Sequence, residues 1–159
     1  MTENPLLDEL NRDIWHPFRG TYHARDLEGF LALYDPDLIR AGGPTKEVYG
    51  FDRLAADTTG WFTHVAERGD SLDIEFRFTE RIAADELASE QGCYQITATL
   101  ANGTSRVMYG RFHTFARKID SRWRIVVDYD TDDGGGITPE TFAAGAVVDD
   151  TAALPMLRR

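Results

Sequence analysis

Apolar residues recur at intervals of three and four in the first part of the chain and alternate with polar residues further on. The early stripe comprises Leu6, Leu7, Leu10, Ile14, Trp15, Phe18 and Tyr22. This spacing predicts an amphipathic helix, and Asn4 followed by Pro5 is a typical helix start. Pro17 lies inside the stripe and removes a backbone hydrogen bond, so we expect the helix to kink or split near Trp15.

Two further helices and a short strand follow. Asp26 is a favourable N-cap for the helical segment "LEGFLALY", which we expect to end before Pro36. The segment "DLIRAGG" predicts a short strand. The segment "GFDRLAADTTGWFTHVAERG" predicts a third helix, with Gly69 as its stop.

The alternation then changes to a period of two, which predicts β-strands. In "SLDIEFRFTERIA" the side chains of Leu72, Ile74, Phe76 and Phe78 share one face. Three more long strands are predicted over "LASEQGCYQITATL", "SRVMYGRFHTFARK" and "WRIVVDYD", with Asn102-Gly103 as a hairpin turn. Helices followed by antiparallel strands indicate an α+β fold. We expect a cone-shaped, curved antiparallel sheet with three N-terminal helices packed on its concave face.

Composition bounds the class of protein. The 159 residues carry a formal net charge of −10 and no basic stripe, so neither a nucleic-acid partner nor a membrane partner is expected. Cys93 is the single cysteine and no metal-ligand spacing is present, so we expect neither a metal nor a cofactor. The N-terminus has no secretory signal pattern, which favours a cytoplasmic location. The glycine-rich composition after Asp133 predicts one domain over 1–133 and a mobile or loosely docked tail over 134–159.

Three segments carry a resemblance to a known superfamily: "YHARDLEGFLALYDPDLIRAGG", "IEFRFTERIAADELASEQGCY" and "YGRFHTFARKIDSRWRIVVDYD". From about Asp8 to Asp133 the chain resembles the nuclear-transport-factor-2-like superfamily, also called cystatin-like or SnoaL-like, and within it an uncharacterised branch. The resemblance implies a pocket under the helices and, often, a dimer through the sheet. Members include ketosteroid isomerases, polyketide cyclases, scytalone dehydratase, epoxide hydrolases and domains that only bind or dimerise, so the fold alone does not define the function.

Known catalytic positions of the superfamily are only partly matched. Counted from "DLEGF", the tyrosine of ketosteroid isomerases falls near Phe18 and their aspartate near Gly42. Counted back from Trp123, their late-strand acid falls near His113, so one polar position of the three remains. The Asp-Arg-Asp arrangement of limonene-epoxide hydrolases is not matched residue by residue.

The last predicted hairpin contains charged residues in an apolar context. An even-length loop, with either two or four residues, places Arg111 and His113 on one face with Asp128 and Asp130. We then expect His113, Asp128 and Arg111 to face the pocket as catalytic residues, with His113 as general acid or base, Asp128 orienting it and Arg111 stabilising charge. The opposite face, which carries Trp123, is expected to support a homodimer. The alternative is a hydrogen-bonded structural pair without catalytic function.

Five residues are candidate ligand contacts: Trp15, Phe18, Tyr22, Arg40 and Tyr94. The aromatic members would line the pocket, and Arg40 would bind an acidic group. The alternatives are core packing for the aromatic residues and an edge position for Arg40. The sequence therefore favours a protein that binds a small apolar ligand bearing a carbonyl or hydroxyl group, and leaves two functions open. One is a cofactor-independent acid-base enzyme of the isomerase, cyclase, dehydratase or hydrolase type. The other is a non-catalytic dimeric module for ligand binding or association.

Overall fold

The predicted helices and strands occur in the predicted order in the computed structural model, which describes residues 4–152. The strands Glu47–Tyr49 and Ala146–Val147 and the helix Pro139–Ala143 were not predicted. The helices are α1 Pro5–Leu10, α2 His16–Ala24, α3 Leu27–Leu31, α4 Phe51–Arg68 and α5 Pro139–Ala143. The strands are β1 Tyr34–Gly42, β2 Glu47–Tyr49, β3 Ser71–Ala83, β4 Leu87–Thr99, β5 Ser105–Ile119, β6 Arg122–Thr131 and β7 Ala146–Val147. The predicted α+β fold class is confirmed. No helix within residues 4–152 combines the length and the apolar character needed to cross a membrane.

All strands belong to one curved, seven-stranded sheet with the order β2-β1-β6-β5-β4-β3-β7. The pairing of β1 with β6 is parallel, and the other neighbours are antiparallel. The N-terminal helices cover the concave face, called the inner face below. On β3 the predicted alternation is confirmed, because Leu72, Ile74, Phe76 and Phe78 are all buried.

The first helical segment changes its winding where the proline predicts a break. A π-helical turn, Asn11–Trp15, lies between α1 and α2 and ends two residues before Pro17. Because proline lacks an N–H, a wider turn before it avoids the lost α-helical hydrogen bond. The π turn also buries Asn11, Asp13 and Trp15, which places polar groups from a helix in contact with the sheet.

The second helix is shorter than its apolar pattern predicts. Asp26 caps it as expected, with its side chain accepting from the Gly29 N–H, but α3 ends at Leu31 and Tyr34 already belongs to β1. The pairing of β1 with β6 shifts between Tyr34 and Ile39. Pro36 lies in this irregular stretch, where a missing N–H costs no ladder hydrogen bond.

The hairpin between β5 and β6 has the two-residue loop that was one of the two predicted lengths. Ile119 pairs with Arg122, and Asp120 and Ser121 have left-handed φ values of 51° and 65°, the pattern of a type I′ turn. Further along, however, Ala116 pairs with Ile125 while Phe115 pairs with Val127. Val126 is therefore the extra residue of a β-bulge.

A buried polar network joins the π turn to the sheet. Arg81 on β3 and Glu90 on β4 form an ion pair of 2.7 Å, and each side chain is only 1% exposed. Glu90 also accepts from the Trp15 indole at 3.0 Å. Arg81 donates to the Asn11 side chain at 2.6 Å and to the Val148 carbonyl at 3.1 Å. This network connects the sheet, the helices and the C-terminal segment.

The C-terminal segment packs on the sheet as far as it is described. Ile137 and Phe142 form a small apolar cluster with Cys93 on the outer face, and β7 pairs with the edge strand β3. Val148 is buried and its carbonyl also accepts from the Asn11 amide at 2.8 Å. The described part of the predicted tail is therefore docked through apolar and polar contacts, whereas residues 153–159 lie outside the described residues.

Candidate functional site

A cavity of about 190 Å³ lies between the helices and the inner face of the sheet. Its wall is largely aromatic, with a polar group at one end. The lining residues are Trp15, Phe18, Tyr22, Phe30, Tyr34, Arg40, Leu54, Thr58, Ile74, Phe76, Tyr94, Ile96, Phe112, Thr114, Asp128 and Asp130. Concave, mostly apolar sites with a few convergent polar groups are typical of small-molecule sites.

The polar end consists of one arginine between two aspartates. Arg40 on β1 donates through Nη1 to Asp130 Oδ1 at 2.8 Å, and its Nε lies 4.0 Å from Asp128 Oδ2. The three side chains are only 14–16% exposed. Because Arg40 and Asp128 are directly paired across β1 and β6, the backbone register determines this arrangement.

Two tyrosines complete the polar end. The Tyr34 hydroxyl donates to Asp128, and the Tyr94 hydroxyl donates to Asp130 at 3.1 Å. Burial raises the pKa of Asp128 to about 6, Asp130 adds to the rise, and Arg40 and Tyr34 oppose it. Burial also raises the pKa of the Tyr34 and Tyr94 phenols above the ordinary value. Asp128 thus exchanges its proton near neutral pH, while both phenols remain protonated.

Two glycines make room for this cluster. Gly42 has a φ of +125°, which favours glycine, and a Cβ at this position would collide with Asp130. Gly110 on β5 is paired with Tyr94 on β4, and a Cβ there would collide with the Tyr94 ring. The absence of a side chain at Gly110 therefore lets the ring lie over the sheet, with its hydroxyl at Asp130.

A third phenol lines the cavity from the helix side. The Tyr22 hydroxyl accepts a hydrogen bond from the Trp61 indole at 3.1 Å, and burial raises the pKa of Tyr22 to about 12. Among residues 4–152, no group accepts a hydrogen bond from the Tyr22 hydroxyl. Since a hydroxyl rotates to suit its partner, Tyr22 can donate this proton to a molecule in the cavity.

The prediction that His113 and Arg111 share the pocket face with Asp128 is wrong. His113 lies on the outer face, where its Nε2 is 2.8 Å from Ser89 Oγ. Arg111 is on the same outer face and forms an exposed ion pair of 2.9 Å with Asp133. The physical reason is the bulge at Val126, which shifts the register by one residue. His113 therefore faces Tyr129, and Asp128 faces Thr114.

The same bulge overturns the expectation that the Trp123 face forms a dimer. Trp123 and Ile125 are both fully buried on the inner face. The Trp123 indole donates to Glu9 at 3.0 Å, and its backbone N–H donates to Asp13 at 3.1 Å. Before the bulge the inner face of β6 is apolar, and after it the same face carries Asp128.

The candidate ligand contacts Trp15, Phe18, Tyr22, Arg40 and Tyr94 all line the cavity. Their role in ligand binding stays a prediction.

Sequence reasoning missed Tyr34, because the apolar pattern placed it at the end of a helix. It also gave Asp130 no function. The signal for Asp130 was its spacing of two from Asp128, which puts both acids on one face of a strand. Within residues 4–152, no group of three or more His, Cys, Asp or Glu side chains is arranged to hold a metal ion.

Solved structures with this architecture define the fold class. Aln2 from Streptomyces sp. aligns with a TM-score of 0.72 at 16% identity, covering 84% of this chain and 95% of its own. An NTF-2 like protein of unknown function from Shewanella oneidensis has a TM-score of 0.64 at 20% identity, with coverages of 81% and 100%. A ketosteroid isomerase-like protein from Erwinia carotovora has a TM-score of 0.60 at 18% identity, with coverages of 81% and 97%.

These similarities confirm the nuclear-transport-factor-2-like, cystatin-like fold that the sequence resemblance implies. No protein-family model matches the chain, and no curated protein matches it in sequence. At such low identity the shared fold does not transfer an activity. The chemistry of the cavity therefore has to be argued from its own residues.

Proposed function

We propose that this protein binds a small, largely apolar molecule bearing a carbonyl or hydroxyl group, and catalyses proton transfer on it without a cofactor. The observation that carries the proposal is the Asp128 carboxyl, which lies in an aromatic cavity and has its pKa raised to about 6 by burial. A general base is most effective when its pKa is near the operating pH. The ketosteroid isomerase-like neighbour supports this class of chemistry by analogy of fold alone.

The proposed roles follow from the contacts of each group. Asp128 accepts a proton from the ligand, and the Tyr34 hydroxyl holds the carboxylate in place. Tyr22 donates a hydrogen bond to the ligand oxygen, on which negative charge develops as the proton leaves. The Trp61 indole donates to the Tyr22 oxygen, which makes the Tyr22 proton a better donor. Arg40 and Asp130 keep the site ordered.

Ligand binding can be followed through the three tryptophans, whose indole N–H groups have different partners. Trp15 lines the cavity, and the Trp61 indole bonds to Tyr22, which also lines it. Trp123 bonds to Glu9 away from the cavity. In an NMR titration with cyclohexanone and benzyl alcohol, we expect the indole signals of Trp15 and Trp61 to shift and that of Trp123 to stay. Shifts confined to Trp123, or none with either compound, would contradict the proposed site.

The outer face supports the second proposed function, association of two copies of the chain. Ile39, Val127 and Phe115 are aligned across three strands, and with Tyr129 they form what we call the outer patch. Ile39, Phe115 and Tyr129 are 52%, 42% and 45% exposed. Exposed apolar groups that lie together mark interaction sites. We propose that the outer patch, rather than the Trp123 face, forms a homodimer.

The dimer is tested by Phe115→Arg, which places a charge within the outer patch. In sedimentation equilibrium we expect the wild-type chain to dimerise and the variant to dissociate at concentrations at least about tenfold higher. Val107→Arg is the matched control, because Val107 is 49% exposed at the other end of the same strand. A monomeric wild-type chain, or equal loss in both variants, would sink the proposal.

A further inference from the structure

We propose that the two aspartates at the polar end, Asp128 and Asp130, set the charge preference of the cavity, so that it accepts uncharged hydroxyl- or carbonyl-bearing molecules and rejects carboxylates. The inference rests on the proposed ligand-binding function of the same cavity. It reverses the role that the sequence suggested for Arg40, which was to bind an acidic group. The argument depends on which hydrogen-bonding positions at the polar end are already occupied.

Arg40 is engaged by the protein itself. Its Nη1 donates to Asp130 at 2.8 Å and to the Ala41 carbonyl at 3.1 Å, and its Nε is directed at Asp128 at 4.0 Å. A ligand carboxylate would have to displace one of these aspartates to gain a bidentate contact. Arg40 therefore orders the two acids instead of serving as an anion receptor.

Asp130 is held more firmly than Asp128. Asp130 Oδ1 accepts from Arg40 and from the Gly43 N–H at 2.9 Å, and Oδ2 accepts from Tyr94. Within residues 4–152, Asp128 has one hydrogen-bond donor, Tyr34, and a carboxylate can accept several hydrogen bonds. The open acceptor position at the polar end is thus on Asp128. This position can accept a hydrogen bond from the hydroxyl group of a neutral ligand, whereas a ligand carboxylate has no proton to donate to Asp128.

The formal charges of the residues that line the cavity also favour an uncharged ligand. Among the described lining residues only Arg40, Asp128 and Asp130 carry formal charge, which sums to −1 when both carboxyls are ionised. The groups that face Asp128 are Tyr34 and Arg40 from β1 and Asp130 from its own strand, and the α4 lining residues Leu54 and Thr58 are uncharged. Like charges interact strongly in a site shielded from water, so an anionic ligand is repelled.

The test compares benzyl alcohol with benzoate, which have similar size and differ in charge. At pH 7.5 we expect the wild-type protein to bind benzyl alcohol at least about tenfold more tightly than benzoate. In Asp130→Asn, Arg40 loses one of its two ionic partners, so the ratio of benzoate affinity to benzyl alcohol affinity should rise at least about tenfold. The further substitution Arg40→Gln in this variant should remove the gain, because no cation remains.

The outcomes separate the inference from the function on which it rests. Wild-type protein that binds benzoate as tightly as benzyl alcohol would overturn the inference and leave the proposed cavity standing. Binding of neither probe would overturn both the inference and the proposed ligand-binding cavity.

A measurement on the wild-type protein alone guards against misfolding of the variants. Lowering the pH from 7.5 to 5 protonates Asp128, so benzoate affinity should rise while that of benzyl alcohol stays nearly constant. A flat benzoate profile would overturn the inference.

Discussion

Replacing Asp128 with asparagine is expected to make the protein more stable and to slow the proposed proton transfer strongly. Asp128 has an ordinary pKa of 3.8, and burial raises it to about 6 in the folded protein. One pKa unit corresponds to about 1.36 kcal/mol, so the ionised carboxyl costs up to about 3 kcal/mol at pH 7.5. Asparagine carries no charge and avoids this cost.

The pH dependence fixes the sign of the effect. Below pH 3.8 Asp128 is protonated in both the folded and the unfolded chain, so wild type and Asp128→Asn should be equally stable. As the pH rises from 3.8 to about 6, the unfolded wild type releases the Asp128 proton before the folded protein does, so the wild type loses stability and the variant does not. Urea unfolding at pH 4 and pH 7.5 measures the difference. A variant that is less stable than wild type at pH 7.5 would contradict the placement of Asp128.

The functional half of this prediction has a matched control. On any substrate that the protein turns over, Asp128→Asn should lower the rate by about 10²–10⁴-fold, the usual contribution of a general base. His113→Ala should leave both turnover and ligand binding unchanged, because His113 lies on the outer face against Ser89. Equal losses in the two variants would show that the cavity is not where the chemistry occurs.

Glu90→Ala is expected to destabilise the protein by about 3–5 kcal/mol, because it leaves a buried arginine without its partner. The Arg81 and Glu90 side chains are each 1% exposed. Burial raises the pKa of Glu90, and Arg81 and the Trp15 indole oppose the rise. The measurement is the free energy of unfolding in urea at pH 7.5, which the linear extrapolation method provides.

Glu75→Ala is the control for Glu90→Ala, because it breaks an ion pair of the same chemical type at the surface. Arg19 and Glu75 lie 2.6 Å apart, but their side chains are 38% and 40% exposed. Exposed pairs usually contribute 0.2–1 kcal/mol, so Glu75→Ala should cost about 1 kcal/mol or less. The two alanine variants together report how much burial, rather than charge, determines the cost. Similar costs for both would refute the buried network as a major source of stability.

Local patterns predicted the architecture because they depend on neighbouring residues. The alternation along β3, the Asp26 cap and the Ile119–Arg122 hairpin pairing all follow from short-range sequence. The candidate site depends on a register that changes within a strand. Val126 is left out of the pairing between β5 and β6, and the conformational preferences of valine do not predict this bulge. The prediction of a shared face for His113 and Asp128 therefore failed.

A clue to the bulge was present in the composition of β6. Trp123 and Ile125 are large apolar residues at odd positions, which favour burial, whereas Asp128 and Asp130 are at even positions. Regular alternation forces these pairs onto opposite faces, and a single extra residue puts both on one face. Choosing between regular alternation and a bulge requires knowing that the helices cover the face that carries Trp123. That contact, between Trp123 and Glu9, joins distant parts of the chain.

The bulge at Val126 has a consequence for comparing this chain with other proteins of its fold. Two chains can carry the same residues along this strand and present different ones to the cavity, if only one of them has the extra residue. An alignment gap misplaced by one position would match Asp128 with a neighbour's outward-facing side chain. Equivalent residues in such distant relatives are therefore defined by the face of the strand they occupy, and not by their column in an alignment.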